Sequence, residues 1–251
     1  MGAFDGKTLL VTGGASGLGA AVASLAAAAG AKVAVLDVNE PAGSAAARRI
    51  GGHFWRCDVA DPAQWPRVVD EIEGRLGPIR YAHLNAGVMT QGLDASLERA
   101  RLENISPERY RTVLGVNVGG VFFGLQTLLP RMIAAGGDAI TVTSSAAGLV
   151  PIPFDPLYAL TKHAVVGLVR SLALAHAGEP VRVNALCPGG FASPLVPPEL
   201  RSGVTMTAEE MAAEAIDLLL RGASGETRLK LRAGNPAEVI APPAVALGGT
   251  Q

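Results

Sequence analysis

Cysteine, lysine and long apolar runs are all in short supply in this chain of 251 residues. The two cysteines, Cys57 and Cys187, show no metal-ligand spacing and each follows a strand-like run. That pattern points to two buried thiols in a reducing cytoplasm and away from a disulfide framework or a thiolate metal site. His53, His83 and His176 show no ligand spacing either, and His163 reads as a packing or interface side chain, so no metal is expected. The lysines are Lys7, Lys32, Lys162 and Lys230; with the many alanines, their scarcity reads as coding bias. A formal net charge of −1 gives no footprint for nucleic acid or an anionic membrane surface. The most apolar stretch, residues 20–38, carries Ser24, Gly30 and Lys32 and divides into a helix and a strand, so no membrane span is expected. The opening MGAFDG runs into a strand without a secretory leader and lacks the Ser or Thr of a myristoylation site. Asn104-Ile105-Ser106 matches a glycosylation sequon, which without an export signal is chance.

What is present is a sequence that can bury a large core. Hydrophobic residues make up 49% and charged residues 17%, the balance of a compact chain rather than a disordered one. Short apolar runs at residues 8–12, 32–36, 53–59, 79–84, 139–143, 181–186 and 228–231 read as strands buried on both faces of a parallel sheet. Between them lie helices with readable starts: Asp61-Pro62, Ser106-Pro107, Asp155-Pro156 and a capping box at Thr207–Glu210. Alternation of this kind predicts an α/β fold, a doubly wound seven-stranded parallel sheet flanked by helices, in one domain over residues 1–251. Only residues 234–251 turn rich in Pro and Gly and lose periodicity.

The first strand ends in Thr12-Gly13-Gly14-Ala15-Ser16-Gly17-Leu18-Gly19, ahead of an alanine-rich helix. Glycines there let the backbone turn tightly and approach a pyrophosphate at the helix N-terminus. Asp37 closes the next strand, where a carboxylate accepts from adenosine ribose hydroxyls and repels a 2′-phosphate. Neither Gly14 nor Val38 is a cation that would offset the repulsion, so the loop favours NAD over NADP.

Residues 145–162, SAAGLVPIPFDPLYALTK, place a serine after a strand and then Tyr158 and Lys162 one helical turn apart. A tyrosine and a lysine at this spacing are common. Their chemical use is that lowering a phenol by about two pKa units requires roughly 3 kcal/mol. One ammonium at ~4 Å in an effective dielectric of ~20 supplies about that much.

Taken in order, the loop Thr12–Gly19, Asp37, Asp58-Val59, Asn85-Ala86-Gly87, Asn117, Ser145, Tyr158-xxx-Lys162 and Pro188-Gly189 resemble the short-chain dehydrogenase/reductase family over nearly all of residues 7–234. The resemblance implies a Rossmann fold and hydride transfer between NAD and a small-molecule secondary alcohol or its ketone. Tyr158 is then the acid/base, and Lys162 lowers its pKa and binds the nicotinamide ribose. Ser145, rather than Ser144, holds the family's offset from the tyrosine. Asn117 supports a water-linked proton relay, and the neighbouring Gly115, Gly119 and Gly120 would tolerate a helix distortion. The cofactor contacts implied are Thr12, Gly13, Ser16, Gly17, Leu18, Gly19, Asp37, Val38, Asp58, Val59, Asn85, Ala86, Gly87, Tyr158, Lys162, Pro188, Gly189 and Ser193. Relatives commonly form dimers or tetramers through the helices that start at Ser106 and Asp155.

Three features depart from the family pattern: residues 89–106 run long, the part of the substrate loop (about 190–207) after Ser193 is short and apolar, and the tail lacks the usual ending. Candidate substrate walls are Met89, Leu149, Val150, Ile152, Phe154, Leu195, Val196 and Met206, with Gln91 at the rim and no arginine or lysine among them. They point to an uncharged, mostly hydrophobic alcohol. Two alternatives stay open: an NADPH- or NADH-dependent carbonyl (ketoacyl-type) reductase, and a non-catalytic NAD-binding sensor.

Overall fold

The computed structural model describes residues 2–93, 95–204 and 206–244. Its strands are β1 (Thr8–Thr12), β2 (Lys32–Asp37), β3 (His53–Arg56), β4 (Ile79–Leu84), β5 (Ala139–Thr143), β6 (Arg182–Pro188), β7 (Thr227–Lys230) and β8 (Glu238–Val239). The helices are α1 (Gly17–Ala28), α2 (Glu40–Arg49), α3 (Gln64–Leu76), α4 (Pro107–Leu114), α5 (Gly120–Ala134), α6 (Pro156–Ala175) and α7 (Ala208–Arg221). The strands form one sheet in the order β3-β2-β1-β4-β5-β6-β7-β8. Every pairing is parallel except the last, β7 with β8. The order reverses between β1 and β4, which opens a crevice at the carboxyl ends of the strands where ligands of such sheets bind.

Period-two alternation along the strands feeds two cores. Leu10, Ala34, Leu36, Ala82 and Ile140 face α3, α5 and α6, packing on Trp65, Val68, Leu128, Met132 and Val169. Leu9, Val11, Val33 and Val35 face the other way, onto Val22, Ala26, Met211 and Leu218 of α1 and α7. Burying both faces is why the strands read as continuous apolar runs.

Three of the four expected helix starts hold. Asp155 and Ser106 cap α6 and α4 with proline following, and Thr207 and Glu210 form a reciprocal capping box for α7. The fourth shifts: Asp61 accepts from the Ala63 amide and from the Gln64 side chain, so it builds a turn and α3 begins only at Gln64. The third strand stops at Arg56, short of the expected residue 59. Among the described residues the sheet has eight strands rather than seven, because Glu238–Val239 in the tail pairs antiparallel with β7. Ile240 continues the attachment through Thr227, and Arg170 of α6 donates to the Ile240 carbonyl. Among the described residues, the continuous helical run Pro107–Ala134 (α4, its linking turn and α5) and α6 (Pro156–Ala175) are long and apolar enough to cross a bilayer by length and composition alone. In this fold they contribute Leu125, Leu128, Met132, Val165 and Val169 to the core.

Candidate active site

The glycine loop sits at the crevice. Gly13 and Gly17 hold φ of +63° and +51°, a region L side chains seldom adopt. A Cβ on Gly19 would collide with the Gly13 carbonyl and lie 2.8 Å from Asn85 Nδ2. Ser16 caps α1 without a side-chain hydrogen bond, so the N–H groups of the first turn are left for another acceptor. These features fit a pyrophosphate at the start of α1. Leu18, in the first turn of α1, is buried against the core on the α1 and α7 side. Ser193 and Pro194 lie across the loop, 3.7 and 3.6 Å from a Cβ built on Gly17.

Asp37 ends β2 with its carboxylate held by two amides, Ala15 at 3.1 Å and Asn39 at 3.0 Å. A fixed negative charge therefore lies beside the loop, while Val38 is exposed. Asp58 is exposed and accepts from the Ala60 amide. Val59 turns into the core against Gly120, and its carbonyl accepts from Trp65 Nε1 at 3.0 Å, so its side chain does not reach the crevice. Thr12 Oγ1 accepts from the amides of Asn85 and Ala86, and Asn85 Oδ1 accepts from Thr143. These bonds tie the ends of β1, β4 and β5 across the switch point. Gly189 donates to the Lys230 carbonyl, and any side chain there would meet Leu231. Gly189 therefore needs to be glycine, directly after Pro188 closes β6.

Asp155 places Tyr158 in the first turn of α6 and Lys162 one turn on, with Lys162 Nζ 5.5 Å from the Tyr158 ring centroid. Lys162 is almost wholly buried and donates to the Thr143 carbonyl at 2.9 Å. Ser145 begins a 3₁₀ turn (Ala146–Gly148), accepts from the Ala147 amide at 3.1 Å and lies within hydrogen-bonding reach of Tyr158. Ser144 is buried and donates to the Lys162 carbonyl, which removes it from the crevice. Asn117 stands in a π-turn (Gly115–Gly119) joining α4 to α5, where the glycines give the distortion room. A Cβ on Gly87 would lie 3.5 Å from both Asn117 Oδ1 and Lys162 Nζ, so the crevice narrows there and brings the two together.

The electrostatics differ from the simple expectation. Burial pushes Tyr158 up to about 12, the Ser145 hydrogen bond pulls the other way, and the charge of Asp155 adds to the rise. Burial likewise brings Lys162 down to about 8. For both groups desolvation is the largest cause of the shift, and it disfavours the charged form of each.

A cavity of about 160 Å³ opens beside the strap of residues 88–92, lined by Val88, Met89, Gly92, Leu93, Leu195 and Arg109. Met89 and Leu195 were expected there. Met206 was not well placed as a wall, since it is buried in the core on the α1 and α7 side. Gln91 is buried, not at a rim. Arg109 was missed: it reaches over from α4 and donates Nε to the Thr90 carbonyl at 2.6 Å and Nη2 to the Met89 carbonyl. No local pattern announces it, because its partners lie some twenty residues back. A groove of about 550 Å³ lies elsewhere, between α5 and α6, lined by Phe122, Leu125, Leu129, Ile133, Leu168 and Leu172. Cys57 and Cys187 are both buried thiols, and burial raises each to about 11.

Known proteins resemble this chain in sequence and in fold. The short chain dehydrogenase family profile matches residues 7–202. The chain is 38% identical over 199 residues to a 2,5-dichloro-2,5-cyclohexadiene-1,4-diol dehydrogenase of Sphingobium indicum, covering 78% of this chain and 77% of the relative. It is 37% identical over 206 residues to a 3-beta-hydroxysteroid dehydrogenase of Comamonas testosteroni, covering 80% and 78%. A crystal structure of a short-chain type dehydrogenase/reductase from Mycobacterium marinum superposes with a TM-score of 0.80 at 30% identity, over 92% of this chain and 96% of that one.

Proposed function

We propose, because the chain belongs to the short-chain dehydrogenase family of oxidoreductases acting on CH–OH groups, that it oxidises an uncharged, mostly hydrophobic secondary alcohol to its ketone with NAD. The observation that carries this reading is the meeting of Ser145, Tyr158 and Lys162 beside the glycine loop at the switch point of the sheet. The bound dinucleotide supplies the redox chemistry as acceptor of the hydride. Ser145 holds the carbinol oxygen by hydrogen bond, and Tyr158 takes the proton that leaves that oxygen. Lys162 binds the nicotinamide ribose, and Asn117 supports a water-linked path that carries the proton on from Lys162. The fixed carboxylate of Asp37 selects NAD by accepting from ribose hydroxyls and repelling a 2′-phosphate.

The largely apolar lining of the cavity supports a hydrophobic ring or chain on the alcohol, and the two relatives named above are called after cyclic alcohols. A second copy of the chain covers the apolar groove between α5 and α6, giving a dimer or tetramer. Two buried free thiols suit a cytoplasmic setting. The raised pKa of Tyr158 favours a second reading, reduction of the ketone, since a phenol protonated at neutral pH is ready to donate. A panel of cyclic secondary alcohols with NAD, followed by NADH absorbance, tests the activity. Tyr158→Phe should abolish turnover and keep NADH binding by fluorescence titration; turnover that survives the loss of the hydroxyl would refute the acid/base role.

A further inference from the structure

We propose that Asp155 is a positioning residue that binds the pocket wall at residues 88–90 to the helix carrying Tyr158, so that the substrate pocket and the proton-transferring hydroxyl hold one fixed geometry. The proposal rests on the reading of Tyr158 as acid/base. An N-cap needs one acceptor, and an exposed serine would serve. Asp155 instead is wholly buried and does more. Its Oδ1 accepts from the Tyr158 amide at 2.9 Å and from Thr90 Oγ1 at 2.6 Å, while Oδ2 accepts from the Thr90 amide at 2.9 Å. All three partners donate, as an ionised carboxylate requires, and no cation pairs with it among the described residues. A buried carboxylate without a counter-charge is retained only where its hydrogen bonds are complete.

The strap that it holds is irregular backbone, yet nearly all its polar groups are bonded by side chains from three separate elements. Asn117 of the π-turn donates to the Val88 carbonyl and accepts from the Val88 amide. Arg109 of α4 donates to the Met89 and Thr90 carbonyls. Asp155 holds the Thr90 amide and hydroxyl. Met89, in the middle of this strap, lines the cavity, and the Asp155 oxygen that takes the Thr90 hydroxyl also takes the backbone of Tyr158. A substrate pressing on Met89 therefore pushes against the same anchor that sets the tyrosine. The groups facing Tyr158 are Ser145 from the loop after β5, Cys187 from β6, Lys162 on its own helix and Asp155 at that helix's start. Of these, Asp155 acts by its charge to oppose ionisation of the phenol.

Two variants separate the roles. Thr90→Val keeps the size of the side chain and the charge of Asp155, but removes the hydroxyl bond. Asp155→Ser keeps a cap for α6, but removes both the charge and the reach to Thr90. With an alcohol found in the panel above, Thr90→Val should lower kcat/KM by roughly 10- to 100-fold, as expected for a reacting group displaced by up to ~1 Å. Its pH profile and its KM for NAD should stay unchanged. Asp155→Ser should lower kcat/KM similarly and also move the rise of oxidation rate to lower pH, because the phenolate loses a neighbouring negative charge. Far-UV circular dichroism confirms that both variants keep their helices. Wild-type kcat/KM in Thr90→Val, or a wild-type pH profile in Asp155→Ser, would overturn the proposal. Failure of the acid/base reading is distinguished by Tyr158→Phe, which would then stay active.

Discussion

Replacing Lys162 with methionine should make the protein more stable while destroying its activity. Lys162 is 3% exposed, with the Thr143 carbonyl as its hydrogen-bond acceptor. Burial lowers its pKa from 10.5 to about 8. The folded chain therefore holds fewer protons at this site than the unfolded chain between pH 8 and 10.5, and stability rises with pH through that window. Below it, keeping the ammonium costs roughly 3 kcal/mol at ~1.36 kcal/mol per pKa unit. Methionine removes that penalty but strands the Thr143 carbonyl, which returns about 1 kcal/mol. The expected net gain is about 2 kcal/mol at pH 7, or roughly 4–8 °C for a chain of this size. At pH 9.5 most of the lysine penalty is already gone, and the gain should fall to a few tenths of a kcal/mol. Thermal melts of wild type and Lys162→Met at matched protein concentration, without added nucleotide, at pH 7 and 9.5 read this directly. A melting temperature that falls at pH 7, or a gain that is equal at both pH values, would refute the reasoning.

Asp37→Ala should shift the NAD-over-NADP preference in kcat/KM by about tenfold, since a like charge near the surface is worth on the order of 1–2 kcal/mol. Steady-state kinetics with both dinucleotides checks it, and unchanged selectivity would remove Asp37 from that role. Gly19→Ala forces its methyl into the Gly13 carbonyl, so NADH affinity by fluorescence should drop at least tenfold, at about 1.4 kcal/mol of displaced contacts. Thr207→Ala opens the capping box of α7 and should lower stability by about 1 kcal/mol in urea titration, leaving kcat untouched.

Much of the fold could be read locally because its signals are local. A capping carboxylate and the following proline mark the start of α6 within four residues, and the glycines around Asn117 announce that the helix there can deform. The order of motifs along the chain located the crevice because a parallel sheet brings its strand ends to one edge. What the sequence hides is contact at a distance. Asp155 looks like a simple cap, and its second oxygen meets Thr90 only once the chain has folded. Arg109 sits in an exposed-looking helix turn, and its partners belong to a segment without periodicity. Val59 belongs to a crevice motif by order while its side chain packs in the core, since a motif fixes where the backbone passes and not which way a side chain turns. The Tyr158 pKa depends on a related matter: spacing gives the nearness of a cation, whereas the burial that raises the phenol is set by the fold.

The short antiparallel rung at Glu238–Val239 has a meaning beyond its size. Without it, the outer margin of β7 would present bare amides and carbonyls, a template on which a strand from another molecule could settle. Ile240 and Arg170 pin the rung in place. Residues 238–240 thus leave only a two-residue rung at that margin, too short to template a long strand, and its fastening point lies on the same helix that carries Tyr158.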